Sequence, residues 1–247
     1  MSKNIGEGVA VVTQQTIYPV KGMGGQAIDQ HRIGWHGMPA DRRFAFVSSR
    51  PNPNDGLPWL SARDLPRLVA YTARSTGGNG MTDIVVYTSD GHTFPLASEE
   101  LLAEISAVFG SPVALTQIYR GTFDSMDLSL ISEQSVRSIG QAVGLDLDVE
   151  RFRANIVVSA FAERPFPEER WIGETLVFGD RTDSARIRIN RKTERCMVVN
   201  LERETGRQTH PEILREIVSN RRNRLGVYGS TEFPGTIHVG DTVRIVR

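Results

Sequence analysis

The chain has 247 residues, 39% of them hydrophobic and 23% charged, and its 29 basic and 29 acidic side chains give a formal net charge of zero. That composition belongs to a soluble globular chain with ample core, built as one large domain or two small ones, and it lacks the overall field that would attract nucleic acid or an anionic membrane. A single cysteine forbids an internal disulfide, the first seven residues carry no apolar signal core, and runs such as Ile156 to Ala162 are too short to span a bilayer, so a cytoplasmic chain with no membrane insertion is expected.

The first ninety residues read as short strands at Val9 to Thr13, Arg42 to Val47 and Ile84 to Tyr87, rich in β-branched or aromatic residues. Turn formers crowd Arg50 to Pro58 and Thr76 to Gly80, marking exposed loops. Ser98-Glu99-Glu100 then opens a helical stripe with apolar residues at 101, 102, 105, 108 and 109, stopped by Gly110. A second helix is capped by Ser132, buries Val136, Ile139 and Val143, and stops at Gly144; a third begins at Pro211 with Ile213, Leu214, Ile217 and Val218 inward. Strand-like runs occupy Asn155 to Ser159, Arg186 to Asn190, Arg195 to Asn200 and Thr242 to Val246. The expected fold is α+β and β-rich: a small amino-terminal β-barrel-like domain over residues 1–115, then a β-barrel domain with a few surface helices over 116–247.

Cys196 is the candidate for chemistry, because an adjacent cation, here Arg195, favours the thiolate that ligates metals and attacks electrophiles. The plain alternative is an inert core cysteine. Tyr18-Pro19-Val20-Lys21-Gly22-Met23-Gly24-Gly25 joins an amine to nearby glycines, which suits a phosphate or simply a glycine-rich turn. Arg42, at the entry to a strand, either forks donors onto an anion or pairs with Asp41. In Arg151-Phe152-Arg153-Ala154-Asn155, residues 151, 153 and 155 share one face if the strand starts early; otherwise they form an exposed strand end. The basic run Ser219 to Arg224 reads as a solvated helix terminus, and Asp124, Asp127 and Glu163 as loop carboxylates. The five histidines show no metal-ligand spacing, so a structural zinc site is not expected. If Arg195 to Asn200 is a strand, Glu194 and Cys196 share a face, where the carboxylate would repel an anionic cofactor.

The colinear order of these pieces resembles the MOSC family, named after the carboxy-terminal domain of molybdenum cofactor sulfurase, together with its amino-terminal β-barrel domain. The resemblance rests on Tyr18 to Lys21, Asp41 to Phe44, Arg151 to Asn155, Trp171-Ile172-Gly173, Leu176 with Gly179, Arg195-Cys196, Glu204-Thr205-Gly206, Gly226-Val227-Tyr228 and Pro234 to Asp241. It implies a molybdenum-cofactor-dependent reductase of N-hydroxylated or other N-oxygenated compounds, with Cys196 as the metal's thiolate ligand. By the same resemblance Lys21, Arg42, Ser132, Arg153, Asn155 and Arg195 would hold the molybdopterin. No flavin, haem or iron–sulfur motif is visible, so a reductase acting on a small-molecule substrate would take its electrons from a separate protein. The alternatives are a sulfur carrier with a persulfide on Cys196 and a non-catalytic member that binds a small anion.

Overall fold

The structure, a computed structural model, describes residues 5–49, 58–77 and 83–246. The first half runs through β1 (Ile5–Ile17), β2 (Gln26–Ile28), β3 (Gln30–Ile33), β4 (Phe44–Ser48), β5 (Thr72–Ser75), β6 (Ile84–Tyr87), β7 (Thr93–Pro95), α1 (Glu99–Phe109) and β8 (Val113–Gln117). The second half comprises β9 (Leu128–Ser132), α2 (Glu133–Val143), β10 (Ile156–Ala160), β11 (Thr175–Phe178), β12 (Arg186–Glu194), α3 (Pro211–Arg221), β13 (Arg224–Phe233), β14 (Gly235–His238) and β15 (Thr242–Val246). Most of the two turn-rich stretches expected as loops, 50–57 and 78–80, lies outside the described residues.

Seven strands close into a barrel in the order β1-β10-β9-β13-β12-β11-β15 and back to β1. All neighbours are antiparallel except β9 and β10. Closure follows from alternation: on β12, Ile187 and Ile189 point into the barrel core with Leu130, Val158, Leu176 and Val227, while Arg186 and Arg188 point out. The amino-terminal part is the predicted β-rich unit. Its strand sets β4-β8 and β5-β6-β7 and helix α1 enclose Phe44, Phe46, Leu68, Tyr71, Ile84, Leu101 and Ile105.

The two parts are interwoven. β1, first in the chain, lies between β10 and β15 and is a stave of the carboxy-terminal barrel, whereas β8 crosses back to pair with β4. A small apolar seam of Ala62, Val69 and Leu201, with Met197 and Val198 against it, joins the halves beside Cys196.

The helices lie where caps and periodicity put them. Ser98 and Ser132 accept the N–H groups of Leu101 and Ser135, and Gly110 and Gly144 take left-handed φ values of 77° and 71° at the stops. Helix α3 buries Ile213 and Ile217, but Val218, expected inward, is exposed because it lies a third of a turn away from that stripe. The strand expected at Arg195 to Asn200 is absent: β12 ends at Glu194, and Met197–Asn200 forms a 3-10 turn. Nor does the strand begin early at 151, since Val149–Phe152 is a 3-10 turn and β10 starts at Ile156.

Gly235 marks a point where backbones nearly touch. A Cβ there would stand 2.3 Å from the Asp183 carbonyl oxygen and 2.6 Å from the Ala185 nitrogen, where β14 passes the start of β12. Gly235→Ala should therefore destabilise the fold by about 1–3 kcal/mol, read as a fall in Tm of roughly 2–4 °C per kcal/mol. An unchanged Tm would show that this contact relaxes freely.

Candidate functional site

Between the two parts, over the outer face of β9, β12 and β13, lies a cavity of about 810 Å³ including its open mouth. Its wall contains Lys21, Arg42, Arg63, Arg151, Arg153 and Arg195 against only two carboxylates, Asp124 and Glu194. Cys196 lies in the same wall, half-buried and with a free thiol.

The position of Cys196 is set by the residues around it. The Arg195 amide donates to the Asn223 carbonyl at 3.0 Å, and its guanidinium donates to the carbonyls of Leu225 (2.8 Å) and Phe152 (2.7 Å). These bonds pull the chain off the β12 line. The following 3-10 turn is held by Arg151, whose guanidinium donates to the carbonyls of Val199 (3.0 Å) and Leu201 (2.7 Å). Because the strand has ended, Glu194 does not share a strand face with the thiol; its carboxylate is mostly exposed and faces Arg224 at 3.9 Å. Arg195 forms its hydrogen bonds with carbonyls, and the cation that reaches the sulfur is Arg63, with Nη1 3.6 Å from Sγ.

Arg63 also meets Asp124 at 3.3 Å, and Asp124 meets the Lys21 Nζ at 2.6 Å; Lys21 donates in addition to the Thr122 carbonyl at 2.6 Å. Burial pushes the Lys21 ammonium pKa down, Asp124 opposes this, and the fields of Arg42 and Arg153 push it down further, with a net lowering. Burial alone would raise the Asp124 carboxyl, but Lys21 and Arg63 outweigh it and hold it below its ordinary value. The Lys21 shift is thus mainly a burial effect, whereas the Asp124 shift comes from the neighbouring cations.

Tyr18 is the floor of the cationic cluster. The guanidinium groups of Arg42 (4.7 Å) and Arg153 (4.4 Å) both lie over its ring. Burial raises its phenol to a pKa of about 12 despite the two cations. Arg42 and Arg153 both take left-handed backbone conformations, with φ of 50° and 53°, which non-glycine residues adopt only when their surroundings impose it. For Arg42 the imposing groups are identifiable. Its N–H donates to the Tyr18 carbonyl, and its side chain donates to Asp41 (2.5 Å), to the Arg153 carbonyl (3.0 Å) and, at 3.5 Å, to Asn155 Oδ1.

The structure thus brings Cys196, Lys21, Arg42, Arg153, Asn155 and Arg195 to one cavity, but their hydrogen-bonding capacity differs. Asn155 is engaged internally, accepting from Ser129 and donating to the Thr16 carbonyl, so it ties β9, β10 and β1 together. Lys21 and Arg42 already hold Asp124 and Asp41. Among the described residues, only the ring of Tyr18 engages the guanidinium of Arg153, which keeps one side open to the cavity while protein encloses the rest; burial lowers its pKa to about 10. Ser132, expected at the cofactor, is elsewhere: fully buried, it caps α2 and donates to Glu168 at 2.6 Å, and it does not line the cavity. The first turn of α2 faces inward, where Glu168 takes its hydroxyl groups.

Sequence reasoning missed Arg63, named Tyr228 only within the motif Gly226-Val227-Tyr228 and without a role, and read Asp124 as a loop carboxylate, which it is, without foreseeing its place in the cavity wall. No periodicity or spacing links position 63 to position 196; the contact exists only because the seam at Ala62 docks against Met197 and Val198. Two buried polar atoms of the wall, Thr193 Oγ1 and Arg151 Nε, have no hydrogen-bond partner among the described residues. No group of three or more His, Cys, Asp or Glu side chains among the described residues gathers to hold a metal. A metal at Cys196 would therefore take one sulfur from the protein and its remaining ligands from a cofactor, which suits a soft, dithiolene-bound ion.

Residues 120–244 match the model of the MOSC domain, and residues 9–108 match that of the MOSC N-terminal beta barrel domain. The chain belongs to the MOSC family. None of the curated proteins compared matches it. Among solved structures, the YUAD protein from Bacillus subtilis is 15% identical over 96% of this chain and 94% of its own, with a TM-score of 0.52, a likeness of fold. YiiM from Geobacillus stearothermophilus is 14% identical over 49% of this chain and 54% of its own, with a TM-score of 0.37. A hypothetical protein is 10% identical over all of this chain and 69% of its own, with a TM-score of 0.46.

The Lys21–Asp124–Arg63 chain makes a pH prediction. Because the folded-state pKa of Asp124 is depressed, its contribution is full above the unfolded value near about pH 4 and is lost as pH falls through the lower folded value. At 43% side-chain exposure it is screened and contributes no more than about 1 kcal/mol. Asp124→Asn should melt roughly 1–4 °C below the parent at neutral pH, and the gap should close on acidification. A gap that widens toward low pH would refute the pairing.

Proposed function

We propose that this chain binds a molybdenum cofactor through the Cys196 thiolate and reduces N-hydroxylated or other N-oxygenated small molecules. The observation that carries the reading is a lone, half-buried thiol in the wall of an open, strongly cationic cavity. When bound, the cofactor would supply two-electron, oxygen-atom-transfer chemistry.

The protein's part is binding and orientation. Cys196 Sγ would hold the metal, and Arg153 would offer a guanidinium fork to phosphate or pterin oxygens. Arg63, adjacent to the sulfur, offers N–H donors to an oxygen at the reacting centre. Tyr228 lines the same wall, and burial keeps its phenol protonated, so it can supply a proton as the N–O bond breaks. Overall, one N–O bond breaks, two electrons and two protons are taken up, and an amine and water leave.

A second reading, a sulfur carrier with a persulfide on Cys196, draws on one specific observation: Lys21, Arg42 and Asn155 already bond to other protein groups, while the thiol stays accessible. Metal and pterin analysis of protein made in a host that synthesises the cofactor decides between them. Stoichiometric molybdenum is expected in the parent and none in Cys196→Ala, with pterin retention falling about tenfold or more in Arg153→Gln. Absence of metal and pterin, together with cyanide-releasable sulfur on Cys196, would replace the reductase with the carrier; unchanged pterin in the Arg153 variant would remove that residue from the site.

A further inference from the structure

The connection from β8 to β9, residues 118–127, runs along the cavity from the amino-terminal part to the barrel, and Phe123, Asp124 and Met126 on it line the wall. It lies at the rim, since Asp124 and Ser125 are exposed. Both ends are fastened through the backbone. The N–H groups of Ile118 and Thr122 donate to the carbonyls of Arg43 (2.8 Å) and Arg42 (2.7 Å), and the Thr122 hydroxyl donates to the same Arg42 carbonyl. At the far end Asp127 packs on Gly37, where a Cβ would stand 2.8 Å from the Asp127 carbonyl oxygen. The middle differs: among the described residues, no backbone hydrogen bond holds 123–126.

Side chains hold that middle. Asp124 pairs with Lys21 at 2.6 Å and with Arg63 at 3.3 Å, Ser125 accepts from Arg191, and the Arg43 guanidinium lies 6.0 Å from the Phe123 ring. The Asp124 pairing is the charge-assisted one with a buried partner, and it dominates the set. The Lys21 ammonium makes its hydrogen bonds to Asp124 and to the Thr122 carbonyl, both on this connection. A buried cation thus takes its counter-charge from the connection, which in turn is held by that cation. Segments without backbone hydrogen bonds and with few fixed contacts are the ones that open at the lowest free energy.

We infer that residues 123–126 are a strap latched at the cavity rim by Asp124, and that a phosphate group taking the carboxylate's place on Lys21 and Arg63 unlatches it. The inference rests on the reading of this cavity as the seat of a phosphate-bearing cofactor only for the identity of the natural ligand. A phosphate group carries about −1.5 to −2 charges at neutral pH, against the single charge of a carboxylate, so it satisfies the two cations better and repels Asp124 once in place. The contacts left to the strap are those of Ser125 and Phe123, and Phe123 and Met126 move out of the wall with it. Entry of the anion and opening of the cavity beside Cys196 are then one event, and the empty protein keeps its cations paired and its wall closed on that side.

The test uses the full-length chain free of cofactor, with inorganic phosphate as the probe and ionic strength held constant with chloride. Opening is read as chymotryptic cleavage after Phe123, identified by mass, and affinity by calorimetry. Saturating phosphate should speed that cleavage in the parent by about fivefold or more. Asp124→Asn should be cleaved at the faster rate with or without phosphate, and should bind phosphate about tenfold more tightly. Glu194→Gln removes a cavity carboxylate that faces Arg224 instead, so it should behave as the parent does in both measurements. Cleavage indifferent to phosphate, or an Asp124→Asn chain that binds phosphate no better than the parent, would overturn the latch. So would a Glu194→Gln chain that matches Asp124→Asn, because the overall field and not the latch would then set the affinity. Unlatching by phosphate in a chain that never takes up molybdenum would keep the strap and remove the reductase; a chain that takes up molybdenum but whose strap ignores phosphate would do the reverse.

Discussion

A fully buried carboxylate, Asp41, organises the site. One oxygen accepts the backbone N–H of Tyr18 at 2.7 Å and the other takes the guanidinium of Arg42 at 2.5 Å. Through that pair the end of β1, the approach to β4 and the segment entering β10 meet at one point, because Arg42 continues to the carbonyl of Arg153. Removing either partner would strand a buried charge, at a cost of about 3–5 kcal/mol. The left-handed conformation of Arg42 and its position over the Tyr18 ring depend on this knot. It holds positive charge in place before any ligand arrives, which reduces the reorganisation that binding an anion would require.

The elements with local signals were legible in the sequence. A serine cap, an apolar stripe and a glycine stop specify α1 and α2, and alternating isoleucine and arginine specify β12. What the sequence did not convey was long-range. β1 is a stave of the second barrel although it is the first element of the chain, since its partners β10 and β15 lie more than a hundred residues away. Arg195 to Asn200 has the composition of a strand, but Arg195 finds its hydrogen bonds on Leu225 and Phe152 and the apolar pair Met197 and Val198 finds a seam in the other half, so tertiary contacts override β-propensity. The colinear motifs pointed to Cys196, Arg42 and Arg153 as neighbours, yet they could not tell an engaged polar group from an open one.

That distinction changes the electrostatic picture. Counting residues makes the pocket uniformly cationic, but Asp41 and Asp124 already compensate Arg42 and Lys21, and Asn155 serves the barrel. The open donor is the guanidinium of Arg153 beside Tyr18, whereas Arg63 at the sulfur is shared with a half-exposed carboxylate. An anionic ligand entering here would compete with Asp124 for Lys21 and Arg63. Asp124 is therefore an internal counter-ion that steadies the cations in the ligand-free protein, and Lys21 and Arg63 hold its carboxyl below the ordinary value.

β12 connects this pocket to the surface. Its inward residues close the barrel, its outward arginines form the exposed basic face, and its last residues, Thr193 and Glu194, lead directly into Arg195 and Cys196 in the cavity wall. A strand is a stiff element that rises about 3.3 Å per residue, so β12 sets the spacing as far as Glu194, and Arg195 then turns the chain off the strand line to place the thiol. Alternation along the strand allows both roles at once, because a residue facing solvent does not disturb the barrel core behind it. Substitutions beside the sulfur and on the solvent face of β12 can thus vary separately, while the barrel that carries both stays the same.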